Sequence, residues 1–254
     1  MDLKIWIKRH FNVDSKIEWN CPNCKSNSLK IIKEDFKSEE TAESKEFRSK
    51  NDDWEVEWIK LTFNGKLLCK NCDENIFFVG TGNPEHNGYY DYELDEHNEE
   101  YVEHFTPTFF QPTINVFEIP EKCPNSIKNE IIDSFKLFWS DLSSCANKIR
   151  ISLEVLLNEE KVKRFENSGG KRKSISLHRR IQLFSNIEVR DFLLAIKWIG
   201  NTGSHIGEIE TIDILETYQL LEFSLNKLYN NEEKEIKKIT KEIIKRKGTR
   251  KRNK

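Results

Sequence analysis

Residues 54–72 (WEVEWIKLTFNGKLLCKNC) contain the signals that decide the fold of the first half of the chain. From Trp54 to Trp58, apolar and acidic residues alternate, which is the two-residue period of a half-buried strand. Asn64-Gly65 supplies the positive φ values that a two-residue hairpin turn requires, and the strand that returns from this turn ends at Cys69. The stretch therefore predicts antiparallel β structure that delivers cysteines at its end.

The cysteines form two C-x-x-C pairs, Cys21-Pro-Asn-Cys24 and Cys69-Lys-Asn-Cys72. Two residues between cysteines let both thiolates face one ion, and two such pairs complete a tetrahedral shell with no open position for water. The pattern predicts one structural Zn²⁺ that contributes folding energy to a small β module. The alternative, a redox dithiol, would require a single C-x-x-C in a βαβ context, and that context is absent.

Composition divides the 254 residues into four parts. Residues 1–82 are interpreted as a zinc-ribbon-like module, in which the charged segment 34–53 is a mobile insertion. Residues 83–122 are acidic at first and then rich in proline, and they are interpreted as an extended connector. Residues 123–230 form a helical domain, and residues 231–254 form a basic tail with 11 Lys and Arg against 4 Glu, a local charge of +7.

Apolar residues recur every three or four positions after Asn125, which is the period of an amphipathic helix. The first stripe consists of Ile127, Ile131, Phe135 and Phe138. Further helices are expected after a cap at Ser143 or Ser144, then at about 176–184, 189–199 (ending at Gly200) and 212–229. The predicted fold class is α+β, with a small N-terminal β zinc ribbon followed by a C-terminal all-α helical bundle.

No apolar run reaches the roughly 18 residues that a membrane span requires, and no signal-peptide core is present. We therefore expect a cytoplasmic protein without a membrane partner. Thiols stay reduced in that compartment, which favours metal ligation by the paired cysteines over disulfides. Cys123 and Cys145 stand alone, and Cys145, which falls on an apolar helix face, is expected in the core.

Two basic segments are candidate contacts for nucleic acid. Lys171, Arg172 and Lys173 follow Gly169-Gly170, but the full phosphate-loop pattern is absent. The tail contributes Lys245, Arg246, Lys247, Arg250, Lys251 and Arg252. Such clusters attract phosphates in a salt-dependent way without reading bases, although a tail of this kind is equally consistent with a solvated end.

Four segments of the second half resemble the bacterial family of domain of unknown function 4145. They are "IPEKCPNSIKNEIIDSFKLFWSDL" (Ile119–Leu142), "CANKIRISLEVLL" (Cys145–Leu157), "AIKWIGNTGSH" (Ala195–His205) and "ILETYQLLEFSLNKLY" (Ile214–Tyr229). The resemblance implies a fold like that of the helical HEPN superfamily, which contains ribonucleases as well as inactive, partner-binding members. It also implies an association with restriction-type nucleases and other defence genes, and a possible homodimer through the helical domain.

The Gly-Asn-x-x-x-His motif is the candidate catalytic site. His205 titrates near neutral pH and could serve as a general acid or base, with Asn201 as an orienting amide. Ribonuclease members of the superfamily have an arginine immediately before the asparagine, where this chain has Gly200. Lys197 or Arg150 would have to supply the missing cation. The alternative is a hydrogen-bonded His205 that joins the last two helices.

These observations predict a non-enzymatic binding or adaptor protein, acting on nucleic acid or a defence-system protein in bacterial genome defence. The alternative is a HEPN-like, metal-independent ribonuclease that uses His205 with Lys197 or Arg150. Arg150 and Glu154 lie one helical turn apart, and an ion pair is the simpler interpretation of that spacing.

Overall fold

The structure is a computed structural model that describes residues 2–91, 96–98, 100–202, 209–230 and 232–249. An antiparallel sheet forms the first half of the chain, and helices form most of the second half. The combination of an N-terminal sheet with C-terminal helices, which the sequence predicted, is therefore confirmed. None of the described helices combines the length and the apolar character needed to cross a membrane.

Nine strands are described, and most of them belong to one sheet. The strands are β1 (Leu29–Ile31), β2 (Lys37–Glu40), β3 (Leu61–Cys69), β4 (Asn75–His86), β5 (Tyr89–Asp91), β6 (Glu96–Asn98), β7 (Tyr101–Gln111), β8 (Phe165–Ser168) and β9 (Lys171–Ser174). The main sheet has the order β1-β3-β4-β7, and β2 also pairs with β3. β5 with β6, and β8 with β9, form separate hairpins.

Eight described helices complete the chain. The helices are α1 (Leu3–Ile7), α2 (Ala42–Lys50), α3 (Asn125–Phe138), α4 (Leu142–Glu159), α5 (Leu177–Leu183), α6 (Ile187–Thr202), α7 (Thr211–Tyr229) and α8 (Glu232–Arg246). α3 buries the predicted stripe of isoleucine and phenylalanine side chains. α4 begins two or three residues earlier than expected, because the Asp141 carboxylate, and not a serine side chain, accepts the hydrogen bond of the Ser144 N–H.

The predicted hairpin turn at Asn64-Gly65 is wrong. Both residues lie within β3, where Gly65 stands opposite Phe78 of β4. A Cβ atom at Gly65 would come within 2.8 Å of the Phe36 ring and 2.9 Å of the Phe78 ring, so the glycine admits two aromatic rings to the core. The chain reverses instead at the second cysteine pair, between β3 and β4.

Two further expectations about the first half also differ from the structure. The alternating segment from Trp54 to Trp58 does not form a strand, because Val56–Trp58 is a 3-10 helix. The segment 34–53, expected as a mobile insertion, contains β2 and α2 and is anchored at Phe36, whose ring stacks on Phe63 at 5.2 Å. The high charge of the segment masked this partly buried aromatic anchor.

The expected connector 83–122 contributes a full strand to the sheet. β7 pairs with β4 from Tyr101 to Gln111, with a register irregularity next to Gly80. Phe105 and Phe110 of this strand are buried. The prolines suggested an irregular segment, but Pro107 occupies a position within the pairing, and the buried phenylalanines outweigh it.

Gly200 does not end α6, which continues to Thr202. A Cβ atom at Gly200 would lie 2.7 Å from Cβ of Arg150 and 3.1 Å from the carbonyl oxygen of Ala146. The glycine therefore lets α6 approach α4 closely, and this packing requirement overrides the usual role of glycine as a helix terminator.

Aromatic side chains join the sheet to the helices in one continuous core. Trp139, at the end of α3, is 3% exposed and packs on Trp19 and Phe110 from the sheet side, with ring centroids 5.2 and 4.7 Å away. Trp6 of α1 contacts it from another side. Arg9 donates from its guanidinium to the Trp139 carbonyl oxygen at 2.6 Å. The two halves of the chain therefore share one hydrophobic interior.

Candidate metal centre and basic hairpin

The two cysteine pairs form turns of the same construction. In the first, the Cys21 carbonyl oxygen accepts from the Lys25 N–H at 2.9 Å, and in the second, the Cys69 carbonyl oxygen accepts from the Asp73 N–H at 3.0 Å. Lys25 and Asp73, each following the second cysteine of its pair, have φ values of 63° and 59°. The left-handed residue closes each turn so that both sulfurs of a pair face the same point.

The four sulfur atoms are arranged as ligands of one metal ion. The Sγ atoms of Cys21, Cys24, Cys69 and Cys72 all lie within 4.8 Å of one another. The separation is 3.7 Å between Cys21 and Cys72 and 3.5 Å between Cys24 and Cys69. Four ligands at about 2.3 Å in a tetrahedron are about 3.8 Å apart, so the donor set fits a metal held by four thiolates.

Ser26 is a site residue that the sequence analysis did not identify. Its Oγ lies 3.0 Å from the Cys24 Sγ and 3.6 Å from the Cys69 Sγ, so it contacts one sulfur from each pair. This hydrogen bond lowers the pKa of the Cys24 thiol to about 5. Burial raises the pKa of the Cys21 thiol to about 12. The only sequence signal for Ser26 as a site residue was a hydroxyl side chain two positions after the first cysteine pair.

Metal affinity is expected to fall as the pH falls. Without metal, Cys21 is protonated at neutral pH because its pKa is raised, so metal binding must release its proton. Each released proton raises the apparent dissociation constant about tenfold per unit decrease in pH. Competition with a chelator at pH 8, 7 and 6 measures this slope. A dissociation constant that does not change with pH would contradict thiolate ligation.

The segment with Lys171, Arg172 and Lys173 forms a protruding β-hairpin. β8 and β9 are joined by Gly169 and Gly170, whose φ values of 59° and 74° are those of a two-residue hairpin turn. Every residue of both strands is exposed. Among the described elements, the two strands form a packed interface only with each other. The hairpin therefore presents its basic strand to solvent.

One aromatic side chain accompanies these cations. The Arg172 guanidinium lies 3.8 Å from the centroid of the Phe165 ring on the neighbouring strand. Phe165 is 40% exposed, and the sequence analysis did not select it. In the tail, Lys245 and Arg246 lie in the last turn of α8 and Lys247 follows, all of them exposed. Arg250, Lys251 and Arg252 lie outside the described residues.

His205 also lies outside the described residues, and the two cations proposed to act with it already have partners. Lys197 is 8% exposed, with its Nζ 3.4 Å from the centroid of the Trp198 ring. The Arg150 guanidinium donates to Glu154 at 2.8 Å, which is the predicted ion pair. Asn201 lies at the end of α6, and Gly200 beside it packs against Arg150. The structure thus brings Arg150 next to the motif, but with its charge paired.

Comparison with known families gives two matches. Residues 9–110 match a domain of unknown function, DUF8608, and residues 133–246 match a domain of unknown function, DUF4145. The first range ends beside Gln111, where β7 ends, which agrees with a sheet that includes the expected connector. No curated protein and no solved structure matched the chain. The sheet half is therefore similar to DUF8608, and the helical half is similar to DUF4145.

Proposed function

We propose that this protein binds nucleic acid without cleaving it, using the β8–β9 hairpin as its contact arm. The observation that carries the proposal is the hairpin itself, in which Lys171, Arg172 and Lys173 are exposed on an element that forms no extensive interface with another described element. A basic strand held away from the protein surface can reach phosphates from more than one side. A two-stranded ribbon also has the width of the DNA major groove.

The expected contacts are with phosphates, because the arm presents three consecutive exposed cations, Lys171, Arg172 and Lys173. Lysine and arginine supply salt-dependent, sequence-independent affinity. Phe165 beside Arg172 adds a flat surface on which an unpaired base can stack. This chemistry supports a general nucleic-acid contact over readout of a defined sequence.

The metal in this proposal is Zn²⁺, and its role is structural. Four thiolates are the usual shell of structural zinc and leave no open coordination position. The cysteine cluster ties β1 and the β3–β4 turn together, in the manner of a zinc ribbon. Reduced thiols are most readily maintained in the cytoplasm, which supports that location for the protein.

The choice of binding over catalysis rests on the surroundings of the HEPN-like motif. Arg150 is paired with Glu154, and Lys197 is buried against Trp198, so both substitutes for the missing arginine already have partners. A cation that is already paired offers less stabilisation to charge that develops on a phosphate. A role in bacterial genome defence, beside a nuclease or another protein partner, is proposed by analogy with the resembling family alone.

Removing the charges of the arm is expected to weaken binding and its salt dependence together. One variant with Lys171→Ala, Arg172→Ala and Lys173→Ala removes up to three phosphate contacts, which lowers the slope of log affinity for duplex DNA against log salt by about 2.7. Over a fourfold rise in salt, the native protein should lose roughly 40-fold more affinity than the variant. Fluorescence anisotropy with labelled single-stranded RNA and duplex DNA measures both quantities.

A matched control separates the arm from net charge. The control variant combines three substitutions at exposed positions in the sheet half, Lys16→Ala, Lys37→Ala and Lys45→Ala, and so loses the same net charge. We expect this variant to keep most of the salt slope of the native protein. Equal losses in the two variants would mean that the arm is not the contact surface.

A further inference from the structure

The α8 helix carries an apolar stripe that the described structure leaves uncovered. Ile236, Ile239, Ile243 and Ile244 are 63%, 53%, 43% and 69% exposed. Their spacing of three, four and one residues places them on one side of the helix. Every described side chain from 236 to 249 is exposed, so the helix has an apolar side and a charged side that both face solvent.

A helix of this kind requires a partner. α8 has 15 residues, and isolated helices of about 12–15 residues are only marginally stable in water. It forms no packed interface with another element in the described part of the chain. Isoleucine also has a lower helix propensity than leucine or alanine. The stripe is therefore the feature that would stabilise α8, through contact with an apolar surface of another molecule.

The distribution of charge along α8 indicates which molecule this is. The helix begins with the sequence Glu232-Glu233-Lys234-Glu235 and ends with Lys245 and Arg246, followed by Lys247. One end of the sequence is thus acidic and the other basic. Two copies in antiparallel orientation bring each acidic end beside the basic end of the other copy, whereas a parallel pair would bring like charges together.

We propose that two copies of this chain associate through α8, packed antiparallel along the isoleucine stripe. Ile236, Ile239 and Ile243 have the alternating three- and four-residue spacing of a coiled-coil seam. In an antiparallel pair, Ile239 of one copy faces Ile243 of the other, and the same contact occurs twice by symmetry. Isoleucine, branched at Cβ, is a common residue of such seams, whereas interfacial helices on lipid favour Trp, Phe and Leu.

Sedimentation velocity of the full chain, free of nucleic acid, tests the dimer. The native protein is expected to sediment at about 10 µM with twice the 30.2 kDa mass of one chain. A variant with both Ile239→Ser and Ile243→Ser removes four isoleucines from the dimer, two from each copy. This loss should raise the dissociation constant at least about 1,000-fold and leave a monomer. Lys238→Ser with Lys241→Ser makes the same change in residue type on the charged side, and this control should stay dimeric.

Charge reversal tests the orientation. One variant combines Lys245→Glu, Arg246→Glu and Lys247→Glu. It should raise the dissociation constant of an antiparallel dimer about tenfold, because both ends of α8 become acidic. A dimer of unchanged strength would mean that the helices are parallel or do not meet. Adding Glu232→Lys and Glu233→Lys should restore the affinity, and failure to do so would overturn the antiparallel arrangement.

Two other results would overturn the proposal as a whole. The first is a native protein that stays monomeric at 50 µM, or a dimer that the paired isoleucine substitutions do not dissociate. The second is a native monomer that co-sediments with phosphatidylglycerol vesicles through the same isoleucines, because the stripe would then contact lipid. Neither result depends on whether the β8–β9 hairpin binds nucleic acid, so the proposed function is tested separately.

Discussion

Cys69→Ser is expected to abolish stoichiometric metal binding and to lower the free energy of unfolding by at least about 4 kcal/mol. Cys69 is fully buried, and its sulfur lies 3.5 Å from that of Cys24 in the other pair. Losing one of four thiolates opens the shell, and the ion then no longer joins the two turns. Elemental analysis of the purified variant and urea unfolding measure the two effects.

Cys123→Ser is the matched control for this change. Cys123 is also buried, and burial raises the pKa of its thiol to about 11, but it lies outside the four-sulfur cluster. We expect its variant to retain one metal ion per chain. If Cys69→Ser also retains one ion per chain with native stability, the cluster is not a metal centre.

Trp139→Ala is expected to lower the free energy of unfolding by about 3–5 kcal/mol, which is the range for a large buried aromatic residue. Its ring lies between the sheet and the helices, in contact with Trp6, Trp19 and Phe110. The cavity would open where the two halves of the chain meet. Urea unfolding followed by circular dichroism should show a lower midpoint, and a second transition would indicate that the halves have become independent.

Two variants distinguish packing from a general effect of losing tryptophan. Trp139→Phe keeps an aromatic ring and removes an indole N–H that has no hydrogen-bond partner among the described residues, so it should cost clearly less than alanine. Trp58→Ala removes a ring that is 49% exposed and should cost no more than about 1 kcal/mol. A stability of Trp139→Ala within 1 kcal/mol of the native value would contradict a shared core.

The features that followed from the sequence depend on local spacing. Two residues between cysteines are enough to indicate a ligand pair, and the four cysteines do meet. The period from Ile127 to Phe138 indicates a helix with one buried side, because a helical side is defined by residues three and four apart. The basic cluster at residues 171–173 was also visible in the sequence, whereas the strand that carries it was not predicted.

The features that the sequence analysis missed depend on distant neighbours. Gly65 is explained by the rings of Phe36 and Phe78, and Gly200 by the side chain of Arg150 on another helix. Neither contact is local, so each glycine was interpreted from its own neighbours as a turn or a helix end. β7 was missed for the same reason, because its pairing with β4 is visible only in the folded chain.

The candidate site shows the same limit. The cysteine ligands could be named from spacing, but the contact of Ser26 with a sulfur from each pair could not. The isoleucines of α8 were passed over as part of a charged tail, since the surrounding lysines dominate its composition. Their significance comes from exposure, which only a structure provides.

The most direct test of the proposed function is a gel of native protein incubated with labelled single-stranded RNA and duplex DNA. Half of each sample is run under native conditions and half under denaturing conditions. Binding without cleavage predicts retarded bands in the first gel and full-length nucleic acid in the second. Shortened RNA that disappears when His205→Ala replaces the native protein would contradict the account, since the helical half would then be a ribonuclease.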